Sequence, residues 1–231
     1  MRGLRTAGIE PLLLDLPGHG AHGDVPPDRV TLDHTLALID EQTSHLDRYD
    51  LVGYSMGGRI ALHVAVARPH RVRRLVLESA SPGLAGEDAR VARRAADSSL
   101  AERIEDEGVA AFVSYWTSLP LFDSQRALPE NVKERLRRLR LENKPGGLAA
   151  ALRGLGTGTL PDLWSHLNGL VCPVLLITGA LDTKFVLIGR DVAALLPDVR
   201  LVEASGVGHS VHLEAPQVWL DAVGSFLGEG V

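Results

Sequence analysis

The chain has 231 residues, of which 45% are hydrophobic, 4% aromatic and 23% charged, and its formal net charge is −5. This balance is typical of a globular protein, and it disfavours a nucleic-acid partner because the basic residues lie among at least as many acidic ones. The single cysteine, Cys172, excludes an internal disulfide and a cysteine-based metal site. No run reaches the roughly 20 apolar residues that span a bilayer. We therefore expect a small-molecule partner, a cytoplasmic location and no membrane insertion.

Short apolar runs alternate along the chain with segments whose apolar residues have helical spacing. The predicted strands, each interpreted as buried on both faces, are residues 11–15, 50–54, 74–78, 173–178 and 199–203. The predicted helices between them are residues 56–67, 184–196 and 216–227. This alternation favours an α/β fold with a mainly parallel sheet.

The alternation stops between Ser81 and His166. Apolar residues here recur at helical period with no strand pattern between them: Leu100, Ile104, Phe112, Trp116, then Leu128, Val132, Leu136 and Leu139. We therefore expect residues 1–80 and 167–231 to form an α/β core, and residues 81–166 to form a helical cap inserted between two strands.

The most specific motif is the G-x-S-x-G at residues 53–57, which follows an apolar run and opens a predicted helix. In the α/β-hydrolase fold this context is a sharp strand-to-helix turn that raises a serine hydroxyl above the sheet. The motif predicts Ser55 as the nucleophile-type residue, with the backbone N–H of Met56 directed at a developing oxyanion. The structural alternative is a chance glycine-serine turn.

A serine hydroxyl needs a histidine base and an orienting carboxylate, and this fold places them in the order Ser, Asp, His. Asp182 follows the predicted strand at 173–178, and His209 lies in a glycine-containing loop after the last strand. Asp182 has the alternative role of a helix N-cap. His212 and His19 are the competing histidines, which we interpret as surface or turn residues.

Four segments share particular features with one family. They are residues 15–20 (DLPGHG), 53–59 (GYSMGGR), 115–122 (YWTSLPLF) and 140–158 (RLENKPGGLAAALRGLGTG). On these motifs the chain resembles the 2-succinyl-6-hydroxy-2,4-cyclohexadiene-1-carboxylate synthases of menaquinone biosynthesis, which have the α/β-hydrolase fold. The resemblance implies a lyase that removes a ring proton and eliminates pyruvate, and it implies no metal or organic cofactor.

A substrate with several carboxylates requires fixed cations, and arginine binds carboxylates through a planar, bidentate fork. Arg59 lies one helical turn after Ser55, close enough to hold a carboxylate beside the hydroxyl.

The family pattern implies three further substrate contacts in the cap: Arg93, Arg140 and Trp116. Arg94 or Arg90 can replace Arg93, and Trp116 can instead be cap core. Tyr54, beside the nucleophile, is either a hydrogen-bond donor to the substrate or a packed side chain of the turn.

Only ten residues precede the predicted strand at 11–15. Proteins of this fold place earlier strands and a His-Gly loop with a second oxyanion N–H before this point, which takes about thirty residues. We expect the coding sequence to continue upstream of Met1. In the alternative, a complete chain with one oxyanion donor, we expect weak activity or aggregation, because losing one donor costs on the order of 10²–10³ in rate.

Two other functions stay open at this point. One is a serine esterase, thioesterase or lactonase in which Ser55 forms an acyl-enzyme. The other is a degenerate, non-enzymatic member of the fold. Burst kinetics with an ester, and tolerance of Arg59→Ala, would favour the esterase, whereas a folded chain inactive in both assays would favour the non-enzymatic protein. The oligomeric state does not follow from the sequence.

Overall fold

The computed structural model describes residues 2–6 and 8–228, and residues 1, 7 and 229–231 of the predicted core lie outside that part. One fully parallel sheet has the strand order β1-β2-β3-β4. The strands are β1 (Tyr49–Tyr54), β2 (Val72–Glu78), β3 (Val174–Gly179) and β4 (Val199–Ala204). The predicted strands at 50–54, 74–78, 173–178 and 199–203 are confirmed to within two residues at each end.

Helices connect and cover these strands. They are α1 (Arg2–Thr6), α2 (Leu32–Gln42), α3 (Met56–Ala67), α4 (Glu87–Thr117), α5 (Glu130–Leu141), α6 (Pro145–Leu155), α7 (Thr183–Ala193), α8 (Val211–Glu214) and α9 (Pro216–Gly228). Short 3₁₀ segments lie at Gly20–His22, Pro27–Arg29, Pro120–Ala127 and Trp164–Gly169. The three predicted helices correspond to α3, α7 and α9. None of the helices in the described ranges has the length and apolar character needed to cross a membrane.

The sheet separates two apolar clusters. On β2, Leu75 and Leu77 join the cluster that contains α3 and α6, whereas Val76 joins the cluster that contains α9. On β3, Leu176 and Ile177 divide in the same way. Because successive side chains of a strand point to opposite faces, the central strands are apolar at consecutive positions where both faces are covered, over residues 75–77 of β2 and 174–177 of β3.

The prediction of a strand at residues 11–15 is wrong. A strand needs a hydrogen-bonded neighbour, and no described residue pairs with this segment, so Leu12 and Leu13 are 53% and 72% exposed. For the same reason β1 and β4 are edge strands of the described sheet, and they are not buried on both faces as predicted. Val52 on β1 is 40% exposed.

The segment between β2 and β3 contains helices and 3₁₀ turns, with no strand among its residues. Helix α4 is broken at Gly108, where the backbone lies at φ 81° and ψ 172°. The predicted helical period is confirmed on both sides of this break and in α5. Leu128 is an exception, because it follows a 3₁₀ segment and lies outside α5. Helix α4 packs against α6.

Candidate active site

The turn between β1 and α3 holds Ser55 in a conformation that few serines adopt. Its backbone lies at φ 51° and ψ −111°, and a positive φ is uncommon for any residue other than glycine. A Cβ at Gly53 would lie 2.4 Å from the carbonyl oxygen of Gly57, which explains why this position is glycine. The Ser55 N–H donates to the Glu78 carbonyl at 2.8 Å and joins the turn to β2. The strand–turn–helix context predicted for the motif is confirmed.

The start of α3 places two further groups beside Ser55. Met56 is the first residue of the helix, and the first N–H groups of a helix have no intrahelical acceptor. The Met56 N–H can therefore donate to an anionic oxygen next to the serine, where the helix dipole also favours negative charge. One turn later, the Arg59 N–H donates to the Ser55 carbonyl at 3.0 Å.

His209 lies in the loop between β4 and α8, and it links Ser55 to Asp182. Its Nε2 is 3.0 Å from Ser55 Oγ, and its Nδ1 is 2.6 Å from Asp182 Oδ2. His209 is 1% exposed and Asp182 8%. With its Nδ1–H donating to the carboxylate, the imidazole presents Nε2 as an acceptor for the Ser55 hydroxyl. The three groups can therefore move a proton between a bound molecule and the imidazole.

Asp182 makes the contacts of both roles that the sequence left open. Its Oδ2 accepts from His209, while its Oδ1 accepts from the N–H of Phe185 at 3.4 Å and so caps α7. The N-cap geometry and the contact with the base use different oxygens of one carboxylate. The start of α7 and the orientation of the imidazole are therefore coupled.

The two competing histidines have other partners. His212 Nδ1 lies 2.8 Å from Glu78 Oε1, a buried carboxylate at the end of β2. His19 Nδ1 lies 3.4 Å from the carbonyl oxygen of Pro17 in its own turn, and burial lowers the pKa of His19. Only His209 lies between Ser55 and a carboxylate among the described histidines.

A glutamate that the sequence analysis missed fixes the backbone of the histidine loop. The N–H of Gly208 donates to Glu214 Oε2 at 2.7 Å, and the N–H of Ser210 donates to Glu214 Oε1 at 3.1 Å. These two donors flank His209 on either side. Glu214 thus restrains the loop that carries the base, and no motif in the sequence marked it.

Three aromatic rings surround the His209 imidazole. The ring centroids of Phe185, Tyr54 and Phe122 lie 4.7, 5.3 and 6.1 Å from that of His209. The phenylalanines were not predicted as site residues, although Phe122 ends the segment at 115–122 and Phe185 occupies the third position of α7. Their rings limit the access of water to the base.

Arg93 is hydrogen-bonded to a buried carboxylate, Asp97, and Arg59 interacts with the same carboxylate through electrostatics alone. Arg93 Nε donates to Asp97 Oδ1 at 2.8 Å, and the Asp97 side chain is 5% exposed. Asp97 Oδ2 and Arg59 Nε are buried and have no hydrogen-bond partner among the described residues. Burial, with repulsion from Arg93, lowers the pKa of Arg59 to about 10. Burial also raises the pKa of Asp97, against the opposing effect of Arg93. The cluster therefore contains one buried cationic donor, Arg59 Nε, without a partner among the described residues.

The structure distinguishes Arg93 from its two neighbours on α4. Arg94 donates to the carbonyl of Gly158 at 2.8 Å and to Glu87 at 2.6 Å. Arg90 directs its Nε at the same carbonyl, at 3.4 Å. Both therefore anchor α4 to the segment after α6, whereas Arg93 belongs to the cluster with Arg59.

A cavity of about 340 Å³ lies between α4, the 3₁₀ segment at 120–127 and α5. Arg140 lines this cavity, with its guanidinium 5.7 Å from the centroid of the Phe122 ring. Burial lowers the pKa of Arg140. Trp116 does not line the cavity. Its ring packs between Phe112 and Phe122 at centroid distances of 5.4 and 5.7 Å, so the interpretation as cap core describes its contacts.

Tyr54 reaches from the turn to the histidine loop, where its hydroxyl lies 2.7 Å from Ser210 Oγ. Gln125 donates to the same Ser210 oxygen at 2.8 Å. Sequence reasoning missed both partners, because 156 residues separate Tyr54 from Ser210 and 85 separate Gln125 from it. Within the described ranges, no group of three or more His, Cys, Asp or Glu side chains could hold a metal ion.

Comparisons with known proteins agree with this geometry. Residues 1–222 match the model of the alpha/beta hydrolase family. A Bacillus subtilis protein, provisionally named 2-succinyl-6-hydroxy-2,4-cyclohexadiene-1-carboxylate synthase, is 42% identical over 93% of this chain and 79% of its own length. The synthase of that name from Salmonella typhimurium is 33% identical over 95% of this chain and 84% of its own length.

Solved structures show the same relationship. MenH from S. aureus superposes with a TM-score of 0.91 at 36% identity, and the match covers 94% of this chain and 82% of that chain. A thermophilic esterase from Thermogutta terrifontis is similar at a TM-score of 0.79 and 26% identity, over 92% of this chain and 77% of that chain. The chain belongs to the α/β-hydrolase family and, within it, to the 2-succinyl-6-hydroxy-2,4-cyclohexadiene-1-carboxylate synthases, which are lyases of menaquinone biosynthesis.

Proposed function

We propose that the chain eliminates pyruvate from 2-succinyl-5-enolpyruvyl-6-hydroxy-3-cyclohexene-1-carboxylate, with Ser55, His209 and Asp182 as its proton-transfer unit. The product is 2-succinyl-6-hydroxy-2,4-cyclohexadiene-1-carboxylate. The observation that carries the proposal is a hydrogen-bonded Ser–His–Asp unit with a largely unpaired arginine, Arg59, one helical turn from the serine. This combination supports proton removal from an anionic substrate.

The proton path follows from the contacts of His209. Ser55 Oγ takes a proton from the ring while its own proton passes to His209 Nε2, and Asp182 stabilises the imidazolium that forms. The electron pair of the broken C–H bond forms the new ring double bond, and the C–O bond to the enolpyruvyl group breaks. The departing enolate takes a proton on carbon from the imidazolium, through Ser55, and becomes pyruvate. The Met56 N–H stabilises negative charge on a substrate oxygen during this step.

Carboxylate recognition is assigned to the arginines. Arg59 and Arg93 bind one carboxylate of the substrate, because Arg59 Nε is buried without a partner among the described residues and the Arg93 cation lies close enough to repel it. Arg140 binds a second acidic group from the opposite side, next to Phe122. The Tyr54 hydroxyl donates a hydrogen bond to the substrate. Trp116 packs against the Phe122 ring, which lines the cavity.

The domain division and the location belong to the same proposal. Residues 81–166 form a cap over a core of residues 1–80 and 167–231, and the helical content of the described part of this segment supports the division. The cap supplies Arg93 and Arg140, whereas the core supplies the proton-transfer unit. A cytoplasmic location is consistent with the single, buried cysteine, Cys172.

Pyruvate release from the enolpyruvyl precursor tests the proposal. We expect turnover by the native chain and a fall in kcat of about 10²–10⁴ for Ser55→Ala, which is the range for loss of a positioned proton-transfer group. Ser165→Ala, at an exposed serine in the 3₁₀ segment Trp164–Gly169 at the end of the cap, is the matched control. Undiminished turnover by Ser55→Ala contradicts the mechanism. Burst kinetics with an ester and no pyruvate release would identify an esterase instead.

A further inference from the structure

A chain of four side chains connects the cap to the residue that precedes the nucleophile. Arg140 donates to Gln125 Oε1 at 3.3 Å, and Gln125 Nε2 donates to Ser210 Oγ at 2.8 Å. Ser210 Oγ lies 2.7 Å from Tyr54 Oη. The residues come from α5, the 3₁₀ segment at 120–127, the histidine loop and the end of β1. The chain therefore joins four parts of the fold that only tertiary structure brings together.

The first two links have a fixed direction. An arginine can only donate, so the Gln125 atom facing Arg140 is the amide oxygen. The Gln125 amide nitrogen then faces Ser210 and donates to it. The histidine loop also packs directly against the residue before Gln125, since a Cβ at Gly208 would lie 2.2 Å from Ser124 Oγ. This close packing supports the placement of Gln125 beside Ser210.

The last link takes its direction from the burial of Ser210. Ser210 is 1% exposed, and among the described residues its hydroxyl has hydrogen bonds only with Gln125 and Tyr54. If Tyr54 donated to Ser210, the Ser210 proton would be buried without an acceptor, which is costly. Donation from Ser210 to Tyr54 satisfies that proton. The Tyr54 proton is then free, and burial raises the pKa of Tyr54, so the hydroxyl keeps this proton at neutral pH.

We propose that these four residues form a one-directional hydrogen-bond chain, headed by the Arg140 cation, that makes Tyr54 Oη a preorganised donor to a ligand carboxylate. Gln125 and Ser210 are positioning residues that act through Tyr54. In a buried environment, successive hydrogen bonds polarise one another, and a cation at the head strengthens the last donor. The inference rests on the proposed function for its ligand, a carboxylate.

A double-mutant cycle between Ser210 and Tyr54 tests this chain. We expect Tyr54→Phe to raise KM for the enolpyruvyl precursor by about 10-fold or more, since a hydrogen bond to a charged group is lost. Ser210→Ala should raise KM about 3- to 10-fold with kcat nearly unchanged, because Tyr54 loses its orientation. In the Tyr54→Phe background, Ser210→Ala should have no further effect. Ser210→Thr restores the hydroxyl and should recover KM, and Ser165→Ala is the control.

The same cycle measured by calorimetric titration with succinate, a simple dicarboxylate, separates this inference from the reaction. Non-additive losses of succinate affinity in a chain that releases no pyruvate would support the hydrogen-bond chain and refute the proposed function. The inference is overturned if Ser210→Ala leaves both KM and succinate affinity unchanged, or if its effect persists at full size in the Tyr54→Phe background. It is also overturned if the native chain binds neither ligand. Thermal unfolding of each variant verifies that the fold is retained.

Discussion

The backbone that carries Ser55, His209 and Asp182 is fixed by the strands and by hydrogen bonds of its own N–H groups, whereas the guanidinium groups of Arg93 and Arg140 are held by other side chains. Ser55 directly follows β1 and Asp182 lies three residues after the end of β3, while the His209 loop is fixed through backbone N–H groups that donate to Glu214. Arg93, by contrast, depends on the Asp97 carboxylate. Arg140 depends on the Gln125 amide.

This difference indicates which part of the site tolerates change. Ser55 and Asp182 lie in backbone segments that follow strands, so substituting most neighbouring side chains leaves them in place, and losses of activity there measure chemistry. Groups held by side chains move when a partner is removed, so their losses measure binding. Substitutions in the two parts should therefore have different effects, and the largest is expected in the backbone-held part.

The largest effect is expected for a single-atom change in the backbone-held part. Asp182→Asn should lower kcat on the order of 10⁴-fold, because the amide no longer holds the His209 tautomer that leaves Nε2 as acceptor. Asparagine caps helices as well as aspartate does, so the start of α7 should survive. Steady-state pyruvate release and circular dichroism measure the two properties. Asp191→Asn on the same helix is the control, and more than a tenth of the native kcat in Asp182→Asn would refute the role.

The next effect concerns stability in the core helix that carries the turn. Burial, with repulsion from Arg59 and His166, lowers the pKa of His63 from 6.5 to about 4. The unfolded state therefore binds more protons than the folded state between these values, so stability is present above pH 6.5 and is lost as pH falls through 4. The expected loss from pH 7 to pH 4 is roughly 3 kcal/mol.

Urea unfolding at both pH values measures this loss. His63→Leu lacks this titrating group. Between pH 7 and pH 4, the free energy of unfolding of the native chain should therefore fall by roughly 3 kcal/mol more than that of the variant. His70→Leu, at an exposed position near the end of α3, should keep the native pH dependence. Identical pH profiles for the native chain and His63→Leu would show that His63 is not the group responsible.

A smaller effect is expected in the side-chain-held part. Arg59→Met should lower kcat/KM by roughly 10- to 100-fold, the loss of one charge-assisted hydrogen bond. The free energy of unfolding should be unchanged or higher, since the substitution removes a buried cation whose Nε has no partner. Arg59→Lys should not restore binding, because an ammonium lacks the bidentate fork. Arg29→Met, an exposed arginine, is the control, and native kcat/KM in Arg59→Met would favour the esterase interpretation.

The smallest effect is expected for an exposed ion pair that joins the helices of the proposed cap. Arg153 on α6 contacts both Glu105 oxygens on α4 at 2.6 and 2.8 Å, with both side chains about 40% exposed. Glu105→Gln should lower the free energy of unfolding by about 0.2–1 kcal/mol, and less at high salt. Chemical unfolding at two salt concentrations measures it, with Glu41→Gln on α2 as the control. A loss above about 2 kcal/mol would show that the pair is not an ordinary surface contact.

The elements that the sequence predicted correctly are those with local signals. Four strands and α3, α7 and α9 follow from the spacing of apolar residues, and the turn at Ser55 follows from a motif whose glycines the backbone requires. The strand at residues 11–15 failed because strand formation depends on a partner, which an apolar run cannot supply by itself. The pattern of apolar residues likewise does not give the order of the strands, so it could not show that β1 and β4 lie at the edges of the described sheet.

The missed site residues are defined by contacts between distant parts of the chain. Ser210, Gln125 and Glu214 are ordinary polar residues in the sequence, and their importance depends on which groups they meet after folding. Asp97 is different, because it lies four residues after Arg93 on a predicted helix, and that spacing is a recognisable ion-pair signal. The roles of Ser55, Asp182 and His209 stay predictions until activity is measured, although the structure places them within hydrogen-bonding distance of one another.

The first turn of α3 has a consequence for ligand size. Four residues separate Ser55 from Arg59, which corresponds to about 6 Å along a helix axis. Because the Arg59 N–H is bonded to the Ser55 carbonyl, this interval is fixed by the helix and does not change when the proposed cap moves. The helix therefore fixes the point at which the Arg59 side chain leaves the backbone relative to Ser55, and we expect it to favour acids whose carboxylate lies within reach of that side chain when the reacting carbon is at Ser55 Oγ.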